Sequence, residues 1–272
     1  MGQFVIINGF DRSGSSAITR LLAIHSKIEL IMQPFNSGFV RKKMYSILNE
    51  TDRESPEHVF FNALKNNKLN NDLINSHWHY KYSTTQKFNE GQLHIIKTTI
   101  NHFAQKWMSE NYPEIDVWGI WRNPRDIVDS IMRNEFYGQW YEDALEQIIP
   151  TVNSTKILKK YYADFTAELN SLVKQTSFLV AVRSHFFFHH LQPEYVIEYE
   201  KFNQNPNYLN LFLENYRFSP INLSEESSDD LNIIGEYEDM KDKINYSDEE
   251  ESFMNELFRP LKSLVAKKHN IL

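Results

Sequence analysis

The chain contains no cysteine, which excludes disulfides, thiolate metal sites and a cysteine nucleophile. It also lacks any run approaching the ~18 consecutive apolar residues of a membrane span, so the sequence reads as that of a soluble protein. No basic segment precedes the apolar stretch at residues 4–8, and residue 6 is Ile where a myristoylation signal needs Ser or Thr. Neither export nor anchoring is expected, and a cytoplasmic location follows as the expectation. A net positive charge is missing as well. The formal charge of −7 excludes broad nucleic-acid binding, which requires a basic face to displace counterions, while leaving room for a local basic pocket. Acidic residues gather late, at Glu225, Glu226, Asp229, Asp230 and from Glu236 to Asp242, and such a run reads as a solvated surface or a flexible segment.

What is present is the composition of a globular chain: 272 residues, 41% hydrophobic and 14% aromatic, enough for a sizeable core and consistent with a single domain over residues 1–272. Residues 4–8 form a short β-branched run closed by Gly9, and a helical pattern opens at Ser15 and continues through Leu21 and Leu22. Further strands are expected at 28–32, 93–97, 117–121 and 195–199, and helices at 101–111, 124–136 and, as one long or two consecutive helices, 154–191. Residues 39–90 read as a helical insertion, with a start signal at Ser55-Pro56-Glu57. Alternating strands and helices imply an α/β fold with a mostly parallel sheet flanked by helices, whose ligand site lies at the carboxyl ends of the strands.

Two stretches carry chemistry. Gly9-Phe10-Asp11-Arg12-Ser13-Gly14-Ser15-Ser16 fits the phosphate-loop spacing G-x-x-x-x-G-x-[ST], but Ser15 stands where nucleotide hydrolases have Lys. Backbone amides at a helix start still cradle an anion, and Arg12 supplies the cation as a planar fork of donors. In the second stretch, Arg122 ends a strand and Ser130 follows eight residues later on the next helix, a pair able to grip one phosphate.

Together the two stretches resemble the sulfotransferases that use 3′-phosphoadenosine 5′-phosphosulfate (PAPS), with their phosphate-loop-hydrolase-like sheet. Arg12, Ser13, Gly14, Ser15 and Ser16 match the family's [KR]-S-G-[ST]-[ST] loop, and Arg122 and Ser130 match its Arg…Ser pair at the family spacing. The resemblance implies that the loop holds the 5′-phosphosulfate and the pair holds the 3′-phosphate. Val196-Ile197-Glu198-Tyr199-Glu200-Lys201-Phe202 with Asn205-Pro206 is similar to the family's "Y-E-[DK]-[LF]…P" segment, which would put Tyr199 near the adenine. Leu93-His94-Ile95-Ile96-Lys97-Thr98-Thr99 resembles the central strand whose Lys neutralises the group in transfer.

The implied reaction is transfer of a sulfuryl group from PAPS to a hydroxyl or amine of a small-molecule or carbohydrate acceptor, with no metal required. Arg12 and Lys97 would stabilise the charge in motion, a task of positioning and electrostatics. A hydroxyl acceptor also needs a base, and here the chain departs from the family: Thr99 replaces the His of "K-T-H", and Gln33 stands where other branches carry Glu. His102 on the following helix is the expected substitute, with His25 or an insertion residue as alternatives. Two rival readings stay open, a phosphate-loop nucleotide kinase or hydrolase and a nucleotide-binding module that has lost turnover. His77-Trp78-His79-Tyr80 and the trio His185, His189 and His190 could ligate zinc, but without Cys, H-E-x-x-H or a nearby carboxylate no metal site is expected. Trp78, His79 and Tyr80 suit an acceptor pocket or a packed helical cap equally.

Overall fold

The computed structural model describes residues 3–24, 28–32, 56–66, 93–99, 101–135, 139–214, 220 and 244–271. Five parallel strands, β1 Gln3–Asn8, β2 Ile28–Met32, β3 Leu93–Thr98, β4 Asp116–Trp121 and β5 Val196–Glu198, form one sheet in the order β2-β3-β1-β4-β5. In chain order the helices are α1 Ser15–Ile24, α2 Pro56–Lys65, α3 Gln105–Asn111, α4 Pro124–Arg133, α5 Gln139–Ser154, α6 Lys156–Tyr162, α7 Leu172–His190, α8 Tyr199–Gln204, α9 Asn210–Leu213 and α10 Asp248–His269.

The strands are near-continuous apolar runs because helices cover both faces of the sheet. Val5, Ile7, Ile95 and Ile120 pack with Ile18 and Leu22 of α1 and Phe202 of α8. On the opposite face Ile6, Ile96 and Val117 meet the larger core built by α2 to α7 and α10. α7 is apolar around most of its circumference and runs through this core with Phe178, Val180, Val182, Phe186 and Phe187 buried, as expected of a helix with no solvent face.

Register fixes where the site must be. Ile7 pairs with Lys97 and Asn8 with both Thr98 and Gly119, so β1 and β3 end level and β4 ends two residues beyond. The connection leaving β1 travels past β3 to β2, while the one leaving β3 travels past β1 to β4. The loops therefore diverge between β1 and β3, the switch point at which sheets of this kind bind ligands.

Helix starts follow local chemistry. Asn123 accepts from the Arg125 amide at 3.1 Å, and Pro124 occupies the first position of α4, where its missing N–H costs nothing. The expected helix 124–136 stops at Arg133, because the Asn134 amide and side chain both turn back to the Ser130 carbonyl and Glu135 is left-handed at φ 47°. The expected stretch 154–191 is three pieces, α6, a 3₁₀ turn at Asp164–Glu168, and α7. Ser171, extended at φ −131°, restarts it by accepting from the Lys174 amide at 3.3 Å. Residues 101–111 open as a 3₁₀ turn, Asn101–Ala104, before α3. The strand expected at 195–199 is confined to Val196–Glu198, and Tyr199 begins α8. Of the insertion expected at 39–90, α2 bears out the Ser-Pro-Glu start signal; its other residues, apart from Asn66, lie outside the described residues.

α10 is capped reciprocally. Ser247 Oγ accepts from the Glu250 amide and Glu250 Oε2 accepts from the Ser247 amide, each at 3.2 Å. Its acidic first turn grips two other helices: Glu251 takes both terminal nitrogens of Arg125 at 2.5 and 2.6 Å, Glu250 accepts from Ser171 at 2.8 Å, and Glu249 pairs with the buried Lys174.

Candidate functional site

The loop after β1 is built on two left-handed residues. Gly9 donates its amide to the Thr98 carbonyl at 3.3 Å, keeping the loop on β3, and Ser13 turns back to the Phe10 carbonyl at 3.0 Å. Arg12 then adopts φ 67° and Gly14 φ 85°, the first at a real steric cost for a residue with a Cβ. The first α1 bond runs from the Ile18 amide to the Gly14 carbonyl at 3.1 Å, so the amides of Ser15, Ser16 and Ala17 precede the helical ladder and have no acceptor within it. Ser13 and Ser15 are buried while Ser16 is exposed. Ser13 Oγ finds no hydrogen-bond partner among the described residues. A Cβ on Gly9 would sit 2.5 Å from that hydroxyl, which explains why residue 9 has no side chain.

Three later segments arrive at this loop. Arg122, one residue past β4, donates Nη1 to the Arg12 carbonyl at 2.7 Å, propping the left-handed residue from outside. Ser130, two turns into α4, accepts from Arg12 Nε at 3.1 Å. Tyr199, the first residue of α8, lies against Gly14 so closely that a Cβ there would fall 2.1 Å from its Cε2 atom, and the Arg122 guanidinium stacks on the same ring at 4.6 Å. Glu200 Oε1 accepts from the Asn123 amide at 3.1 Å, tying α8 to the turn that carries Arg122. Eight of the sequence-identified residues, Arg12, Ser13, Gly14, Ser15, Ser16, Arg122, Ser130 and Tyr199, thus form one cluster from four separate pieces of chain.

Lys97 belongs to the same edge. By strand alternation it shares the face of Ile95, the α1 side. Burial pushes its ammonium down to about 8, against the pull of the Asp11 carboxylate, which favours the charged form. A buried lysine beside an anion loop can supply a cation whose charge is barely screened.

His102 lies elsewhere, in the apolar layer with Phe10 and Phe187, ring centroids 5.7 and 5.3 Å away. Its Nδ1 is 3.2 Å from Arg183 Nη2. Burial, and then the Arg183 charge, hold it well below the usual histidine range. A proton-accepting role for His102, as expected from the sequence, would require this contact with Arg183 to be given up or the other ring nitrogen to be used. Thr99, also buried, gives its carbonyl to Arg183 Nη2. His185 Nδ1 meets the Tyr162 hydroxyl at 2.9 Å. The described residues hold no group of three or more His, Asp or Glu that could bind a metal ion. His25, Gln33, His77, Trp78, His79 and Tyr80 lie outside the described residues.

The sequence reading assigns no role to Arg183, no contact to Glu200 and no link from Arg125 to α10. Arg183 sits in a helix whose neighbouring Val180, Val182, Phe186 and Phe187 are buried, with no local signal. Arg125 and Asp129 did carry one, an i,i+4 pair realised at 3.1 Å, as did the S-x-x-E sequence of Ser247 to Glu250.

No helix among the described residues is long and apolar enough to cross a membrane. No curated protein matches the chain in sequence. In three dimensions it is similar to the crystal structure of a sulfotransferase from Alicyclobacillus acidocaldarius, at 14% identity and a TM-score of 0.50, over 100% of this chain and 97% of that one. At such identity the likeness speaks for the fold alone. A family model described as "Sulfotransferase family" matches residues 4–183, a span that opens in β1, takes in the glycine loop, Lys97, Arg122 and Ser130, and closes in α7. By that match over well more than half its length, the chain belongs to the sulfotransferase family.

Proposed function

We propose that this protein is a PAPS-dependent sulfotransferase acting on a hydroxyl or amine of a small-molecule or carbohydrate acceptor. The observation that carries the reading is the convergence of Arg12, Arg122, Ser130 and Tyr199 on Gly14. A glycine loop with its arginine, an Arg–Ser pair and an aromatic face at one place support a nucleotide phosphorylated at both ends as the ligand.

The residues fit such a donor. The orphaned Ser13 hydroxyl and the three free amides at the start of α1 offer hydrogen bonds to an anionic oxygen. Arg122 and Ser130 are assigned to the 3′-phosphate and Tyr199 to the base. The donor supplies an activated sulfuryl group when bound. Arg12 stabilises negative charge growing on the departing phosphate oxygen, and Lys97 neutralises the sulfuryl oxygens. Arg122 contributes twice, through its own charge and by holding the Arg12 carbonyl, so that the loop keeps its shape before ligand arrives. Pre-organisation of this kind lowers the reorganisation needed during reaction. The single domain, the cytoplasmic setting and a role for residues 39–90 over the acceptor belong to the same proposal.

A nucleotide kinase is disfavoured by Ser15 at the lysine position, since phosphoryl transfer in that class relies on the loop lysine and magnesium. The deciding experiment is calorimetric titration with adenosine 3′,5′-bisphosphate in EDTA, followed by turnover of ³⁵S-labelled PAPS with a panel of hydroxyl and amine acceptors. Metal-independent binding together with label transfer is expected. Preference for ATP with magnesium would overturn the proposal, and binding without transfer would leave a nucleotide-binding module.

A further inference from the structure

Arg183 is a buried guanidinium, 1% exposed, in the middle of α7, and none of the roles above uses it. Its surroundings are specific. The guanidinium lies over the Phe10 ring at 4.2 Å, donates Nη2 to the Thr99 carbonyl, and brings the same nitrogen within 3.2 Å of His102 Nδ1. Phe10 is in the loop that follows β1, and Thr99 and His102 are in the loop that follows β3. These are the two loops that diverge at the switch point. One side chain from a third element therefore joins the donor-side loop, two residues from Arg12, to the strand end two residues from Lys97.

We infer that Arg183 is a positioning residue that clamps these two loops together, and that His102 serves as its hydrogen-bond acceptor and not as the base of the reaction. The chemistry admits one assignment of protons. Arg has donors only and keeps its charge, so His102 Nδ1 must accept, and the imidazole is the neutral form with its hydrogen on Nε2. A ring in that state has no lone pair left for an acceptor's proton unless Arg183 lets go. The flat face of the guanidinium matches the Phe10 ring, and its edge matches the carbonyl and the imidazole nitrogen. Lysine cannot do all of this at once, because its ammonium is a compact charge without a face. The cation–π contact is strengthened by desolvation.

The test has two independent arms. With ¹⁵N-histidine labelling, the His102 ring, assigned by the signal lost in His102→Asn, is expected to show the neutral tautomer protonated at Nε2. A ring protonated at Nδ1, or an imidazolium at neutral pH, would overturn the inference. This arm requires no turnover and stands even if the sulfotransferase proposal fails. The second arm rests on that proposal. Asn presents a carbonyl oxygen close to where Nδ1 sits, whereas Phe presents nothing, so His102→Asn is expected to retain kcat within about threefold and His102→Phe to lose about tenfold or more. Arg183→Met is expected to match the Phe variant in kcat, and Arg183→Lys to restore little. All four should hold affinity for adenosine 3′,5′-bisphosphate within about threefold, since the clamp touches none of the donor-binding side chains. Equal inactivation by Asn and Phe in folded protein would identify His102 as a base and sink the inference, and so would full activity of Arg183→Met.

Discussion

Arg12 Nε donates to Ser130 Oγ at 3.1 Å across 118 positions of sequence, so the cation of the glycine loop and the hydroxyl of α4 form one donor set and not two separate ones. Ser130→Ala removes the acceptor from Arg12 and a donor from the ligand. The expected result is a loss of about tenfold or more in bisphosphate affinity by calorimetry, with a stability change of only about 1 kcal/mol, the worth of one partly exposed hydrogen bond. Unchanged affinity would separate Ser130 from the donor site.

The left-handed backbone of Arg12 makes two substitutions diverge. Arg12→Ala and Arg12→Gly both delete the guanidinium, and both are expected to lower kcat by about a hundredfold or more, in line with loss of a group that stabilises transition-state charge. Glycine has no Cβ to strain at φ 67°, so the Gly variant should be the more stable of the two by about 1 kcal/mol in urea unfolding. The reverse order would show that residue 12 is not held left-handed in solution.

Gly14→Ala meets both a φ of 85° and the Tyr199 ring. Loss of bisphosphate binding is expected, together with a destabilisation of about 2 kcal/mol. Adding Tyr199→Ala removes the clash but not the backbone strain, so the double variant should recover part of the stability and none of the affinity. Full recovery of both would contradict the packing of Tyr199 on Gly14.

Lys97 ties rate and stability to pH in opposite senses. Its ammonium, lowered from 10.5 to about 8 chiefly by burial, is charged below about pH 8, so kcat is expected to hold up to that point and to fall above it. Asp11→Asn removes the carboxylate that favours the charge and should shift the falling limb to lower pH. For stability, the unfolded chain keeps a proton between about 8 and 10.5 that the folded chain has released. Stability from this group therefore rises with pH across that window, and at pH 7 the buried charge is a cost. Lys97→Met should raise unfolding free energy at pH 7 by up to about 3 kcal/mol while abolishing turnover. A pH-independent gain would rule out the titration as its source.

Arg125 and Glu251 join α4 to α10 by two short bonds, and Arg125 also stacks on Tyr246, whose hydroxyl donates to Asp129 at 2.7 Å. Glu251 is partly exposed, which limits the pair to about 1 kcal/mol. A double-mutant cycle of Arg125→Met and Glu251→Gln should report a coupling of that size at low salt and less at high salt. Because Ser130 adjoins Asp129, both single variants should also weaken bisphosphate binding by a few-fold.

Strand positions, the glycine loop and the Arg122…Ser130 pair were legible in the sequence because each depends on local pattern: a β-branched run, a spacing of glycines, a strand end followed by Pro124. The cluster's cross-links were not. Nothing local says that Arg12 bonds Ser130 or that Tyr199 closes on Gly14, since these contacts depend on how four segments meet after the sheet has formed. Arg183 was invisible for the opposite reason: it lies in a helix whose neighbours are all core residues, where the expectation is packing. His102 reads as a candidate base from its place three residues beyond Thr99, whereas its contacts with Phe10, Phe187 and Arg183 are tertiary and leave no local trace. α10 lies beyond the acidic run at 225–242 and is not among the expected helices, although Ser247 and Glu250 spell its cap.

The grip of α10 on α4 and α7 has a consequence for biosynthesis. The glycine loop is made before Ser130, whereas residues 248–251, which steady the helix bearing that serine, come more than a hundred residues after it. A nascent chain can assemble its sheet and still lack the contacts that steady Ser130 until residues 248–251 have been made, so a chain truncated ahead of Asp248 is expected to fold in part and to bind adenosine 3′,5′-bisphosphate poorly.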